Sequence, residues 1–276
     1  MGKSKVTVSA FRKRKERGEK IVMITSYDAP GAAACAAAGI DVLLVGDSMA
    51  MTVLGYPTTL PLSMDEAIFH AAAVRRGAPD AFVIFDMPFL SYQVSVEEAI
   101  RNAGRAIKEA GCDAVKLEGG ADLAGLIEKL VDSGIPVMAH IGLLPQRIMT
   151  SGGYRITGRT PEAAGELLAD AKAVEAAGAF AVVLECMPAE LGNKLSEALT
   201  IPTIGIGSGV GCDGQVQVLN DVLGLFEDFT PKHSRRYAEL GKLTREALKA
   251  YADDVRAVRF PGPENSFCTT IPSATC

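Results

Sequence analysis

Residues Ala81–Gly120 read AFVIFDMPFLSYQVSVEEAIRNAGRAIKEAGCDAVKLEGG, and this stretch decides the fold. It opens on an apolar run, Ala81–Phe85, that ends in Asp86. Ser95-Val-Glu-Glu98 then has the form of a capping box, in which a Ser and a Glu three residues later satisfy each other's free backbone N–H groups at a helix start. Ala110-Gly111-Cys112 puts a glycine where such a helix must stop, because φ > 0 costs glycine least. A second apolar run, Ala114–Leu117, follows and ends in Glu118. Neither run alternates polar with apolar, as expected of strands buried on both faces of a parallel sheet. Strand, helix, glycine stop and strand make one β–α–β unit.

The unit recurs outward in both directions. Upstream, Ile21–Tyr27 ends in Asp28, and Asp41–Val45 runs into Gly46-Asp47-Ser48. Downstream, Pro136–Ala139 ends in His140, Phe180–Leu184 ends in Glu185, and Pro202–Ile206 runs into Gly207-Ser208-Gly209. Helix starts stand at Ser63-Met-Asp-Glu66 and Thr160-Pro161-Glu162, and glycine stops at Gly39, Gly134 and Gly178. Seven strands alternating with helices imply a parallel α/β fold. An eighth strand at Val216–Leu219, or in a segment beside it, closes a (β/α)8 TIM barrel; an open doubly wound sheet is the alternative. Met1–Lys20 reads as an extra amphipathic N-terminal helix, with Phe11 set among Arg and Lys. We expect a single catalytic domain over 1–265 and a loose, flexible tail over 266–276.

Bulk composition narrows the classes. The chain has 276 residues, 48% hydrophobic and 22% charged, with a net charge of −5. That profile suits a globular protein with a sizeable core and argues against nucleic acid as the main partner, since phosphate binding wants a basic face. No run approaches the roughly 20 apolar residues of a spanning helix, and the N-terminus lacks the apolar stretch of a signal peptide. We therefore expect no membrane partner and a cytoplasmic location. The six cysteines form no C-x-x-C pair, which fits a reducing compartment better than a disulfide framework or a zinc site.

Chemistry is expected at the C-terminal ends of the strands, where barrels keep their active sites. Asp47, Asp86, Glu118 and Glu185 each follow an apolar run directly, so a closed barrel would gather four carboxylates around one mouth. Unpaired, they would raise each other's pKa values; an oxygen-only set of this kind favours a bound Mg²⁺. The plainer alternative is that each acid caps the next helix. Lys116 and Glu118 lie two apart on one strand and face the same side, either as a structural pair or with Lys116 turned to a substrate carboxylate. His140, at a strand end, is a candidate substrate contact, whereas His70 and His233 read as structural or surface residues. Gly205–Gly211 follows the seventh strand, not the first, which argues against a dinucleotide fingerprint. Ser151-Gly-Gly-Tyr154 reads as a lid loop or an ordinary turn.

Taken in order, Leu43-Leu-Val-Gly-Asp-Ser48, Asp86-Met-Pro, Val115-Lys-Leu-Glu-Gly-Gly120, His140-Ile-Gly-Leu, Gly152-Gly-Tyr-Arg-Ile-Thr-Gly158 and Leu184-Glu-Cys resemble the ketopantoate hydroxymethyltransferase family. Pro202-Thr-Ile-Gly-Ile-Gly-Ser-Gly209 and Asp213-Gly-Gln215 fit it too, so the resemblance spans about Ile21 to Phe229. It implies a cytoplasmic homodecamer that needs Mg²⁺ and works in pantothenate biosynthesis. The expected reaction adds a one-carbon unit from 5,10-methylenetetrahydrofolate to 3-methyl-2-oxobutanoate through a Mg-stabilised enolate, giving ketopantoate. Carried onto this chain, Asp47, Asp86 and Glu118 would be the metal-site acids, Glu118 through water. Asp47, Ser48, Asp86 and Lys116 would contact the 2-oxo acid, with His140 close by, and Glu185 would accept the proton. Asn220 departs from the family, where a histidine is more usual, and nothing in it matches Ser266–Cys276. The alternative is a lyase or mutase of the phosphoenolpyruvate mutase and isocitrate lyase type, many of which carry a K-K-C-G-H motif that this chain lacks. A non-catalytic barrel that binds a metabolite is the rival from another class.

Overall fold

Eight short strands, with helices between all but the last two, form the first part of a computed structural model that describes residues 6–267. They are β1 (Ile21–Thr25), β2 (Val42–Val45), β3 (Phe82–Asp86), β4 (Ala114–Glu118), β5 (Val137–Gly142), β6 (Ala181–Glu185), β7 (Thr203–Ile206) and β8 (Gly214–Gln217). Each pairs in parallel with the next, and β8 returns to β1, so the sheet is a closed barrel. This is the (β/α)8 TIM barrel expected from the repeated unit.

The helix starts and stops fall where the sequence places them, although of the two expected capping boxes only the one at Ser63 is reciprocal. Ser63 and Glu66 form a reciprocal capping box at the start of helix Met64–Gly77. Ser95 and Thr160 accept from the backbone N–H groups of Glu98 and Ala163. Gly39, Gly111, Gly134 and Gly178 all take positive φ at helix ends. The eighth strand differs from its expected bounds, beginning at Gly214 and ending before Leu219. A Cβ at Gly214 would lie 2.4 Å from the Ile21 carbonyl oxygen, so only glycine lets β8 approach β1 closely enough to close the ring. A residue that normally interrupts a strand here permits one.

The chain packs as two units, the first running to Leu219 and taking in Lys232–Ser234, the second comprising Asn220–Pro231 and the residues from Arg235 onward. The first holds the barrel. In the second, helix Leu240–Arg256 buries no residue, and the Arg236 guanidinium donates to the carbonyls of Phe226, Glu227 and Phe229. The tail expected over 266–276 lies, from Cys268 onward, outside the described residues, as does Met1–Lys5 of the N-terminal segment. The remainder of that segment forms helix Val8–Glu16.

Inside the barrel the side chains follow a period of two. The interior cluster takes Phe82 and Ile84 from β3, Ala114 from β4, Met138 from β5, and Ala181 and Val183 from β6. Continuing the same alternation toward the C-terminal ends reaches Asp86, Lys116 with Glu118, His140 and Glu185. The polar residues are thus the upper layers of the column whose lower layers are the apolar core. At the lower end, the Phe11 ring of helix Val8–Glu16 sits edge-on to Phe82 and Phe180, with centroids 5.2 and 5.0 Å away.

Candidate active site

Five of the expected residues come from strand register and two, Asp47 and Ser48, from a turn. Asp86 pairs with Lys116, and Glu118 with His140, across neighbouring strands, while Gly142 pairs with Glu185. His140 lies within β5, which runs on to Gly142 where the apolar run alone predicts a stop at Ala139. Asp47 lies past the end of β2, and its own N–H donates to Asp86 Oδ2 at 3.2 Å. Ser48 stands at the rim, its Oγ 2.9 Å from the Tyr27 hydroxyl. By contrast, Asp28, also after an apolar run, caps helix Ala29–Ala37 by accepting from Gly31 N at 2.6 Å. Strand-end acids therefore divide into one helix cap and four that share the mouth.

Charge sets the order within the cluster. Lys116 Nζ donates to Asp86 Oδ1 at 2.7 Å and lies 3.5 Å from Glu118 Oε1, with all three residues buried. Burial alone would strip Lys116 of its proton, but the charges of Asp86, Glu118 and Asp47 outweigh it and hold the pKa above the ordinary lysine value. Glu118 likewise resists burial, because Lys116 and His140 keep its pKa below the usual carboxylate value. Asp86 is raised, chiefly by burial, although Lys116 pulls the other way. Asp47 is raised well above its usual value by burial and by the like charges of Asp86 and Glu118. Lys116 and the Gln146 amide pull the other way without overcoming that rise.

His140 joins the two ends of the cluster. Nδ1 lies 3.5 Å from Glu118 Oε1 and Nε2 lies 3.2 Å from Glu185 Oε2. Neither nitrogen is aligned for a hydrogen bond, so the attraction is electrostatic. Burial and Lys116 oppose a charge there; Glu118 and Glu185 overcome them and raise the pKa to about 9. The imidazole is accordingly protonated at neutral pH. Glu185 keeps 15% of its side chain exposed while His140 shows 1%, so the carboxylate faces the opening and the imidazole lies behind it.

With Lys116 and His140 charged, four carboxylates face two cations, an excess that suits one divalent ion. Glu118 Oε1 is buried without a hydrogen bond, an acceptor left for a further donor. Among the described residues no three acids, histidines or cysteines form a ready-made metal cage, because the Lys116 ammonium occupies the space between Asp86 and Glu118. Asp47 and Asp86 could hold a divalent ion here, with Glu118 Oε1 as a further acceptor beside it. One or two carboxylates with several waters and substrate oxygens is the ordinary environment of Mg²⁺. The residues fit it.

Two groups escaped the sequence reading. Gln146 is buried, donates from Nε2 to Asp47 Oδ2 at 3.0 Å, and donates from its backbone N to Glu118 Oε2 at 3.0 Å. Tyr92, also buried, donates its hydroxyl to Gln146 Oε1 at 2.8 Å and accepts from Glu118 N at 3.1 Å. Both sit in loops after strands without a recognisable motif. The only hint is Pro145, which starts a single helical turn at Gln146. The glycines of 205–211, in contrast, have a packing explanation. Cβ atoms at Gly209 and Gly211 would lie 2.5 Å from Ala189 Cβ and Asn193 Oδ1, on helix Ala189–Ala198. In the Ser151–Tyr154 segment, the Tyr154 hydroxyl reaches Met51 Sδ at 3.5 Å, and its phenol pKa is raised by burial and by Asp47, Glu185 and Glu118. His70 has the structural role expected of it, its Nδ1 lying 2.6 Å from the Tyr27 carbonyl oxygen.

Comparison with known proteins adds to this geometry. The family model described as ketopantoate hydroxymethyltransferase matches residues 5–263. The 3-methyl-2-oxobutanoate hydroxymethyltransferase of Carboxydothermus hydrogenoformans is 53% identical over 263 residues, covering 95% of each chain. That of Desulfotalea psychrophila is also 53% identical, covering 93% of this chain and 92% of its own. Among solved structures, a 2,3-dimethylmalate lyase of the PEP mutase/isocitrate lyase superfamily aligns with a TM-score of 0.59 at 17% identity, over 94% of this chain and 93% of that one. At that identity the likeness shows the fold alone.

Proposed function

The chain belongs to the ketopantoate hydroxymethyltransferase family, and from that premise we propose that it converts 3-methyl-2-oxobutanoate to 2-dehydropantoate with 5,10-methylenetetrahydrofolate as one-carbon donor. The observation that carries the reading is the convergence of Asp47, Asp86, Lys116, Glu118, His140 and Glu185 in the upper layers of one barrel. Such a set is costly to bury, and a bound ligand would offset that cost.

The reaction must break a C3–H bond beside a ketone, form a C3–C bond to the methylene carbon, and release tetrahydrofolate. One water supplies the oxygen of the new hydroxymethyl group. Bound by Asp47 and Asp86, Mg²⁺ would supply Lewis-acid stabilisation of negative charge on the 2-oxo and carboxylate oxygens. Lys116 adds its ammonium to the same oxygens, fixed in direction by Asp86. Ser48 at the rim offers a hydroxyl to the substrate carboxylate. Glu185, the most open of the four acids, takes the C3 proton as general base. His140 lies behind it, with Nε2 3.2 Å from Glu185 Oε2, and positions that carboxylate by electrostatic attraction. The same reading carries a place in pantothenate biosynthesis in the cytoplasm and assembly as a homodecamer, which the solution mass tests. Among the described residues no helix is long and apolar enough to cross a membrane.

The test is incubation with 3-methyl-2-oxobutanoate, methylenetetrahydrofolate and Mg²⁺, following ketopantoate. C3–H exchange in deuterated buffer reads the first half of the reaction without folate. Exchange without ketopantoate would return the chain to the lyase and mutase reading. Absence of both would remove the enzyme reading.

A further inference from the structure

We propose that Gln146 is a positioning residue for the acids of the site, holding Asp47 and Glu118 at a fixed separation so that Asp47 is presented to the metal and Glu118 is withheld from it. The proposal deepens the function argued above and rests on it. Its basis is the complete use of one buried amide. Gln146 Nε2 donates to Asp47 Oδ2 at 3.0 Å and to the Met87 carbonyl at 2.9 Å. Its Oε1 accepts from the Tyr92 hydroxyl at 2.8 Å and from Gln93 Nε2 at 3.2 Å. A primary amide has two N–H donors and two acceptor sites on its oxygen, so the group is saturated.

Saturation fixes its direction. Asp47 Oδ2 and the Met87 carbonyl can only accept, so the NH₂ end must face them; a flipped amide would oppose oxygen to oxygen at both contacts. The backbone N–H of the same residue donates to Glu118 Oε2 at 3.0 Å. One residue in the loop after β5 therefore ties together the ends of β2, β3 and β4. Tyr92 reinforces the tie, because its hydroxyl bonds Gln146 on one side and accepts from the Glu118 backbone N–H on the other. Metal-site ligands depend on such outer partners, whose removal typically costs about 10–100-fold in metal affinity or activity.

The experiment compares wild type with Gln146→Met, similar in length and unable to make either amide contact, and with Tyr92→Phe, which removes only the hydroxyl. Mg²⁺ binding is titrated by calorimetry on substrate-free protein, and kcat and KM are measured for C3–H exchange. Gln146→Met should weaken Mg²⁺ binding about tenfold or more and lower kcat, since a swinging Asp47 misplaces the reacting carbon. Tyr92→Phe should shift both in the same direction by a smaller factor. Saturating Mg²⁺ should restore part of the lost activity in each. A purely structural role would lower the thermal midpoint of the metal-free protein with Mg²⁺ affinity and kcat unchanged, and that result overturns the proposal. If Gln146→Met does not fold, Tyr92→Phe decides, and unchanged Mg²⁺ affinity there overturns it. Wild type without Mg²⁺-dependent exchange would refute the function itself, whereas active wild type matched by both variants refutes only the positioning role.

Discussion

The two ends of the barrel are built from the same strands and obey opposite rules. At the lower end, Phe11, Phe82 and Phe180 pack edge to face within an apolar cluster, and Lys15 of the N-terminal helix ties down the rim by donating to the carbonyls of Ser196 and Ile201. Every contact there is favourable as it stands. At the upper end, the same inward positions carry Asp86, Lys116, Glu118, His140 and Glu185, and the cluster holds Glu118 Oε1 without a hydrogen bond and Asp47 pushed well away from its ordinary pKa. The lower end stabilises the fold, and the upper end spends part of that stability on a site that a ligand completes. Mutations at the two ends should therefore separate stability from activity.

The largest effect is expected at Glu185. Glu185→Gln should lower C3–H exchange by about 10²–10⁴-fold, the usual contribution of a positioned general base, with Mg²⁺ binding retained. Normal exchange in that variant would take Glu185 out of the reaction. At the opposite end, Phe11→Ala should lower unfolding free energy by about 3–5 kcal/mol, read by urea titration, with kcat unchanged in the protein that remains folded. Loss of kcat with stability intact would erase the distinction between the ends.

Asp86→Asn leaves an acceptor for Lys116 but removes a ligand charge. It should weaken Mg²⁺ and 3-methyl-2-oxobutanoate binding together by roughly tenfold or more in calorimetry. Unchanged Mg²⁺ dependence would count against Asp86 as a metal ligand.

A smaller effect is expected in the pH dependence of stability. His140 faces Lys116, Glu118 and Glu185, and its pKa is raised from 6.5 to about 9 in the folded protein. The stabilisation from its folded-state proton is thus complete below the unfolded value and is lost as pH rises through about 9. The thermal midpoint of the metal-free protein should fall across that window, and His140→Gln should flatten the fall. Equal slopes in the two proteins would mean that His140 is neutral when folded. Least of all, Ser63→Ala should cost about 1 kcal/mol, the ordinary value of a helix cap, without touching kcat.

Much of the site was legible because two short-range rules coincide in it. Parallel strands buried on both faces must be apolar, so the first acid after each run marks where a strand leaves the core. Side chains two apart share a face, which put Lys116 with Glu118 and joined both to Asp86 through the interior column. Those rules hold for Glu185 as well. They do not separate Asp28 from Asp47: both follow apolar runs, yet one caps a helix and the other enters the mouth. The difference lies in the turn after each strand, which no period describes.

Composition and periodicity by themselves determined the strand-and-helix alternation and the inward faces, because each depends on neighbours a few residues apart; the ordered motifs carried the resemblance to the family. Only the folded chain decided that β8 starts at Gly214, that His140 stands between Glu118 and Glu185, and that Gln146 and Tyr92 brace the acids. Those features join residues distant in sequence, Gly214 to Ile21 across the closing strand pair and Asp47 to Gln146 across 99 positions. Ring closure fixes which distant groups meet, and hydrogen-bond direction then fixes how.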